Sequence, residues 1–256
     1  MNFLVKAKPA EFHGILLYTK AYRERDLLIK FLTREFGKKM FLVHGAKRPK
    51  FRMRAAILPF TYGAYFGDLK DDGLSYINNY KSIDHFQGIT ADITKNAYAT
   101  YIMSLIDLAF QDSIAIPKWY DQLMIGLSLI DDGFDEEIIT NIFEIQLLSA
   151  FGVEPDWVDC AICHRRDLPF DYSEAYGGLL CQNHFDKDPY RLHLDQRTIY
   201  FLRLFSIVDL TKLKTIQMSD KTKKSLRKVI DQIYTNSVGV VPKSKRFIDQ
   251  LGKFKI

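Results

Sequence analysis

EFHGILLYTKAYRERDLLIKFLTREFGKKMFLV, at positions 11–43, contains three β-rich runs: Gly14 to Tyr18, Leu27 to Leu32 and Lys39 to Val43. Polar residues around Arg23 and Arg25 separate the first two, and Phe36-Gly37 supplies the second turn signal. Two further runs follow, Tyr62 to Phe66 and Leu74 to Ile77, bounded by Gly67-Asp68 and Asp71-Asp72-Gly73. Five short strands with frequent turn signals predict a closed or partly open antiparallel barrel such as an OB-fold over residues 1–81. Periodicity alone leaves an SH3-like barrel open.

Beyond residue 82 the period changes. Thr90 to Gln111, Lys118 to Ile130 and Glu136 to Phe151 carry apolar residues at three- and four-residue intervals, which predicts helices. Pro117 and the Asp131-Asp132-Gly133 break punctuate them. These define a helical domain over 82–153. A loop-rich module occupies 154–190. Helices return at Asp195 to Val208 and Ser219 to Tyr234, in a C-terminal segment (191–256) expected to pack on the helical domain. The fold class is thus multi-domain α+β: barrel, all-α domain and inserted module.

The chain has 256 residues, 47% apolar and 26% charged, which suits a compact globular protein and excludes wholesale disorder. Met1 to Ala10 contain Lys6 and Lys8 and lack the apolar stretch of an export signal. No uncharged apolar run reaches about 18 residues, so no membrane span is expected. Three cysteines within one short segment argue for a reducing compartment, the cytoplasm. The net charge of +5 conceals a division: residues 1–80 hold 15 basic and 7 acidic groups, 81–149 hold 3 and 11, and 150–256 hold 18 and 13.

All three cysteines fall in two knuckles, Cys160-x-x-Cys163 and Cys181-x-x-His184. Two intervening residues let a tight turn aim both side chains at one ion, and the second pair completes a tetrahedron for one structural Zn²⁺. A redox pair and fortuitous clustering are the competing readings, and His164 is an alternative fourth ligand. A redox pair would call for a surrounding βαβ pattern, which is missing.

No acidic residue lies between Glu35 and Asp68, yet Lys38, Lys39, Lys47, Arg48, Lys50, Arg52 and Arg54 do, interleaved with Phe36, Phe41 and Phe51. Cations neutralise phosphates and aromatic faces stack unpaired bases, so the pattern suits DNA. Arg23 and Arg25, in the first hairpin, are expected to approach the same face. Any one of Phe41, Tyr62, Tyr65 or Phe66 is better read as barrel core, and Lys221 to Lys228 as the exposed face of an amphipathic helix. Phosphate-loop, nucleophile-elbow and zinc-protease motifs do not occur, so no enzyme is expected. The acidic cluster Asp131, Asp132, Asp135, Glu136 and Glu137 is explained by a helix N-terminus rather than by a Mg²⁺-dependent nuclease.

Several segments together resemble the RecO family of DNA repair proteins: Gly14-Ile15-Leu16-Leu17, Tyr22 to Leu27, Phe31 to Lys38, His44 to Lys50 and Leu58-Pro59-Phe60. The order of barrel, helices, knuckles and terminal Lys243 to Phe247 extends the resemblance over essentially the whole chain. It implies a non-enzymatic mediator of repair and recombination in the bacterial cytoplasm, associated with the nucleoid. Such a protein binds single- and double-stranded DNA, anneals complementary strands, and works with RecR and the single-stranded DNA-binding protein to load RecA. Zinc-bearing relatives typically carry cysteine where this chain has His184, a substitution zinc tolerates. A zinc-stabilised protein adaptor without DNA affinity is the alternative.

Overall fold

The structure is a computed structural model and describes residues 7–254. The residues 1–6, including Lys6, on which the expectation of no export signal partly rests, lie outside the described residues. The described chain falls into two compact units, residues up to Glu136 together with those from Arg246 onward, and Glu137–Lys245.

In the first unit, five strands run β1 (Lys8–Tyr22), β2 (Asp26–Thr33), β3 (Gly37–Val43), β4 (Thr61–Leu69) and β5 (Ser75–His85). They pair in the order β1-β2-β3-β5-β4, with β4 returning to β1 in antiparallel register and β3 meeting β5 in parallel. The ring of strands therefore closes. Both β1 and β5 are longer than the apolar runs suggested, because their ends continue with polar side chains facing solvent while the backbone ladder persists.

Alternation along the strands sends Phe12, Leu16, Ile29, Phe31, Phe41 and Tyr65 into one core. Phe12 stacks on Phe41 at 5.2 Å between centroids, and Phe31 meets Tyr65 edge-on at 4.9 Å. Truncating any of these phenylalanines costs about 3–5 kcal/mol, from lost transfer energy and the cavity left behind. The Tyr65 hydroxyl donates to the Ala56 carbonyl at 3.0 Å, and burial pushes its phenol far above the ordinary value.

Helices α1 (Gln87–Ala91), α2 (Ile93–Ala109) and α3 (Pro117–Asp131) follow β5 in the same unit. Asp92 caps α2 by accepting from the Thr94 and Lys95 amides, and Pro117 occupies the first turn of α3, where its missing N–H costs nothing. The β2–β3 turn is held against the segment after α2. Gly37 sits at φ +66°, and a Cβ there would lie 2.0 Å from the Ile114 carbonyl oxygen, so only glycine fits.

The second unit contains most of α4 (Glu136–Leu147), a three-stranded sheet, α5 (Gln196–Ile207) and α6 (Asp220–Ile233). The sheet has the order β6 (Asp156–Cys160), β8 (Gly178–Cys181), β7 (Phe170–Ser173). Strands this short, in a segment without clear alternation, read as loop from the sequence. In α6 the apolar stripe Leu226, Val229, Ile230 and Ile233 is buried. The opposite face splits. Arg227 reaches the fully buried Glu144 of α4 through two bonds of 2.6 and 2.8 Å, and Lys223 approaches Glu137, whereas Lys221, Lys224 and Lys228 are exposed. A final helix, α7, spans Lys243–Phe254.

Candidate nucleic-acid interface and metal centre

The cationic residues of the first unit divide into two populations. Arg23, Arg25, Lys47, Arg48, Lys50, Arg52 and Arg54 are exposed. The β1–β2 hairpin and the β3–β4 connection come together through the Lys47 amide, which donates to the Arg25 carbonyl at 3.1 Å. The Lys47 ammonium donates to the Arg23 carbonyl at 3.4 Å. Asp26 supports the junction: its carboxylate accepts from the Gly45 amide at 2.8 Å and lies 3.3 Å from His44 Nδ1. The Gly45 bond, helped by His44, holds the Asp26 carboxyl below its ordinary range. Between the two loops lies a concavity of about 450 Å³, lined by residues 23–26 and by His44, Gly45 and Arg48.

The connection itself is a run of tight turns. The Arg48, Phe51 and Arg54 amides donate to the carbonyls of Gly45, Arg48 and Phe51, and the Arg54 guanidinium donates to the Arg48 carbonyl at 3.0 Å. Phe51 and Met53 pack against the barrel core. The apolar members thus anchor the loop and leave its cations in solvent.

Lys38 and Lys39 do not belong to that surface. They are 2% and 6% exposed. Lys38 and Lys30 share the carboxylates of Asp107 and Asp112 at 2.8–3.1 Å, and Lys38 also donates to the Asp107 carbonyl. Lys39 donates to the Lys70 carbonyl and the Ser113 hydroxyl, and burial lowers its ammonium below the ordinary value. An acid-free interval in sequence is not acid-free in space. The expected DNA role of these two lysines is therefore corrected to a structural one.

The interleaved aromatics are likewise inside or against the barrel: Phe41 and Tyr65 are fully buried, Phe36 and Phe51 flank the core, and Tyr62 packs on Phe86. Phe66 is 38% exposed. The exposed ring beside the cations is one the sequence pattern did not single out, His44, which stacks on Tyr76 of β5 at 6.0 Å.

In the second unit, β6 ends at Cys160 and β8 at Cys181, so the sheet presents both knuckles at one place. One donor atom from each of Cys160, Cys163, Cys181 and His184 lies within 4.8 Å of the others, a group that could hold one metal ion. His184 Nδ1 is 3.5 Å from Cys160 Sγ and 3.4 Å from Cys181 Sγ, and Cys163 Sγ is 3.7 Å from Cys181 Sγ. His164 is not a ligand here. Its ring turns to Asp159 at 3.1 Å and its backbone takes φ +57°, the left-handed bend that closes the first knuckle. Burial disfavours the Cys160 thiolate, but the amides of Cys181, Cys163 and Ile162 and the His184 ring outweigh it and bring the thiol to about 6. Cys181 moves the other way, to about 11, through burial and the neighbouring sulfurs. Mutual repulsion of clustered thiolates is what a bound cation relieves.

Among the described residues no other group of three or more His, Cys, Asp or Glu converges in this way. Asp131 accepts from the Ile89 amide at 2.7 Å, and Glu137 pairs with Lys223, so these two members of the acidic cluster serve ordinary contacts. Among the described residues no helix is long and apolar enough to cross a membrane.

Barrel, helices and a Cys3His group define a two-unit α+β protein with a cationic loop surface and one candidate metal centre. Residues 8–86 match the family model for the N-terminal part of recombination protein O, and residues 90–246 match the model for its C-terminal part. The DNA repair protein RecO of Levilactobacillus brevis is 60% identical over 94% of this chain and 93% of its own length. The proteins of the same name from Latilactobacillus sakei and Lactiplantibacillus plantarum are 53% and 54% identical, each over 95% of this chain and over 90% and 94% of their own lengths. The chain belongs to the RecO family of DNA repair proteins.

Proposed function

We propose that this protein binds single- and double-stranded DNA on the cationic end of an OB-fold barrel, anneals complementary strands without chemistry of its own, and helps load recombinase onto coated single strands. The observation that carries this reading is the junction of the hairpin with the β3–β4 connection, which gathers Arg23, Arg25, Lys47 and Arg48 on one exposed face. Cations there offset the repulsion between two phosphate backbones until base pairing takes over. The strand order β1-β2-β3-β5-β4 supports the OB assignment, since an OB-fold is a five-stranded Greek-key barrel. RecR, the single-stranded DNA-binding protein and, indirectly, RecA are the proposed partners, and the bacterial cytoplasm and nucleoid the proposed location.

The proposed cofactor is one structural Zn²⁺. Tetrahedral zinc with Zn–S near 2.3 Å and Zn–N near 2.0–2.1 Å sets S···S edges of about 3.8 Å and S···N edges of about 3.6 Å. Three of the six edges, at 3.7, 3.5 and 3.4 Å, match that figure, and all four donors lie within 4.8 Å of one another. Four protein donors leave no open position, so the ion would supply folding free energy to the small β6–β8 sheet.

In functional terms the division proposed is barrel (1–81), helical domain (82–153), zinc module (154–190) and terminal helical segment (191–256), although α1–α3 group with the barrel in space. The test is annealing of complementary oligonucleotides: the native protein accelerates it, and replacing Lys47, Arg48, Lys50, Arg52 and Arg54 by glutamine slows it at least tenfold. Equal rates with and without protein contradict the reading.

A further inference from the structure

The cations around the concavity explain attraction to any polyanion, duplex or single strand. They do not explain preference for unpaired bases, and the aromatics that the sequence interleaves with them are anchored in or against the barrel. Beside the cations the structure places the half-buried Tyr22, over whose ring the Arg23 guanidinium already lies at 5.2 Å, and the more exposed His44 ring. His44 stands at the end of β3, stacked on Tyr76 at 6.0 Å with 21° between planes. The Lys70 ammonium lies 5.6 Å from the same tyrosine ring, and Asp26 Oδ2 is 3.3 Å from His44 Nδ1. Neighbours thus orient the imidazole from two sides, yet its side chain remains 63% exposed. It also lines the concavity of about 450 Å³ that Arg23, Arg25 and Arg48 share.

We propose that this concavity takes one unpaired nucleotide of a nucleic-acid strand, its base lying on the exposed side of His44 and its phosphate among Arg23, Arg25 and Arg48. The inference rests on the DNA-binding reading above and adds a residue and a subsite to it. The concavity's volume of about 450 Å³ is sufficient for a single nucleotide. An imidazole supported on a second ring is a stacking platform, and stacking accepts every base because every base has a π face. A duplex keeps its bases stacked on one another and cannot use the platform, so His44 acts as a discriminator between strand forms while the arginines act as a general anchor.

Stacking and phosphate contacts separate experimentally, because only the latter release counterions. Affinity for a single-stranded oligonucleotide and for the matching duplex is measured against salt with the full chain, with His44→Ala and with His44→Phe. The expected result for His44→Ala is a loss of about 5- to 100-fold in single-strand affinity at every salt concentration, with the salt slope unchanged and duplex affinity unaffected. His44→Phe restores the native value. A 2-aminopurine in the strand should lose fluorescence on binding the native chain and regain it with the alanine variant. Unaltered single-strand affinity in His44→Ala, or equal loss on duplex, overturns the proposal while leaving the DNA-binding reading intact. No binding of any strand by the native chain overturns both. Free adenosine monophosphate binding as tightly as the strand would make the concavity a small-molecule site and overturn it as well. His44 is exposed, so matching thermal midpoints of the three proteins confirm that the comparison is between folded chains.

Discussion

The ammonium of Lys38 on β3 lies 3.1 Å from the carboxylate of Asp107 on α2, across a separation of 69 positions in sequence. Lys30 and Asp112 complete the group, so two cations and two anions from β2, β3, α2 and the following loop fix α2 and that loop to the barrel. Lys38 is 2% exposed, and removal of one partner leaves charge without its neighbour in a shielded place.

Lys38→Met is therefore expected to lower unfolding free energy by about 1–3 kcal/mol, less than breaking a fully buried pair, because the Asp107 and Asp112 side chains are 21% and 54% exposed and Lys30 still compensates them. Chemical denaturation measures this. The same variant, below its melting temperature, should bind DNA with the native salt slope, which distinguishes a structural lysine from one that binds phosphate.

The group also carries an acid dependence. Burial works against ionisation of Asp112, but the Lys30 and Lys38 bonds outweigh it and hold its carboxyl below the ordinary value of 3.8. A carboxyl depressed by folding contributes stability that is complete above its unfolded value and disappears as pH falls through the folded one. Thermal midpoints should accordingly drop below about pH 4, and less steeply in Asp112→Asn. An identical acid slope in the variant would remove Asp112 from this role.

Much of this was legible in the residues. The β-rich runs between turn signals located all five barrel strands, and the three- and four-residue spacing located α2 to α6 to within a few residues at each end. Local patterns work there because an apolar run between turn residues marks a strand, and three- and four-residue spacing marks a helix face, without reference to distant parts of the chain. The fate of Lys38 and Lys39 was not legible, because Asp107, Asp112 and Ser113, which hold them, arrive only when the chain folds back. The same reason hid His44: its support, Tyr76, lies on a strand that joins β3 through a parallel pairing no local signal announces. Strands β6 to β8 were missed because five, four and four residues are too few to show a period.

For the metal centre, the expected stoichiometry is about one zinc per chain in protein purified without chelator, measured by elemental analysis. Cys160→Ala should lose the metal and lower the thermal midpoint, since the sheet would keep a buried Cys181 without its ion. His184→Cys should retain zinc, because thiolate serves as well as imidazole in a closed tetrahedral set. Full zinc occupancy in Cys160→Ala would contradict the assigned ligands.

The most direct measurement is single-stranded DNA affinity against salt concentration, for the native chain and for a folded variant with Lys47, Arg48, Lys50, Arg52 and Arg54 replaced by glutamine. A DNA face on the barrel predicts tight binding by the native chain with a steep slope, and a variant whose slope is shallower by up to about 3.5, at about 0.7 for each of up to five single-strand phosphates that are no longer neutralised. An unchanged slope in the variant would contradict that placement.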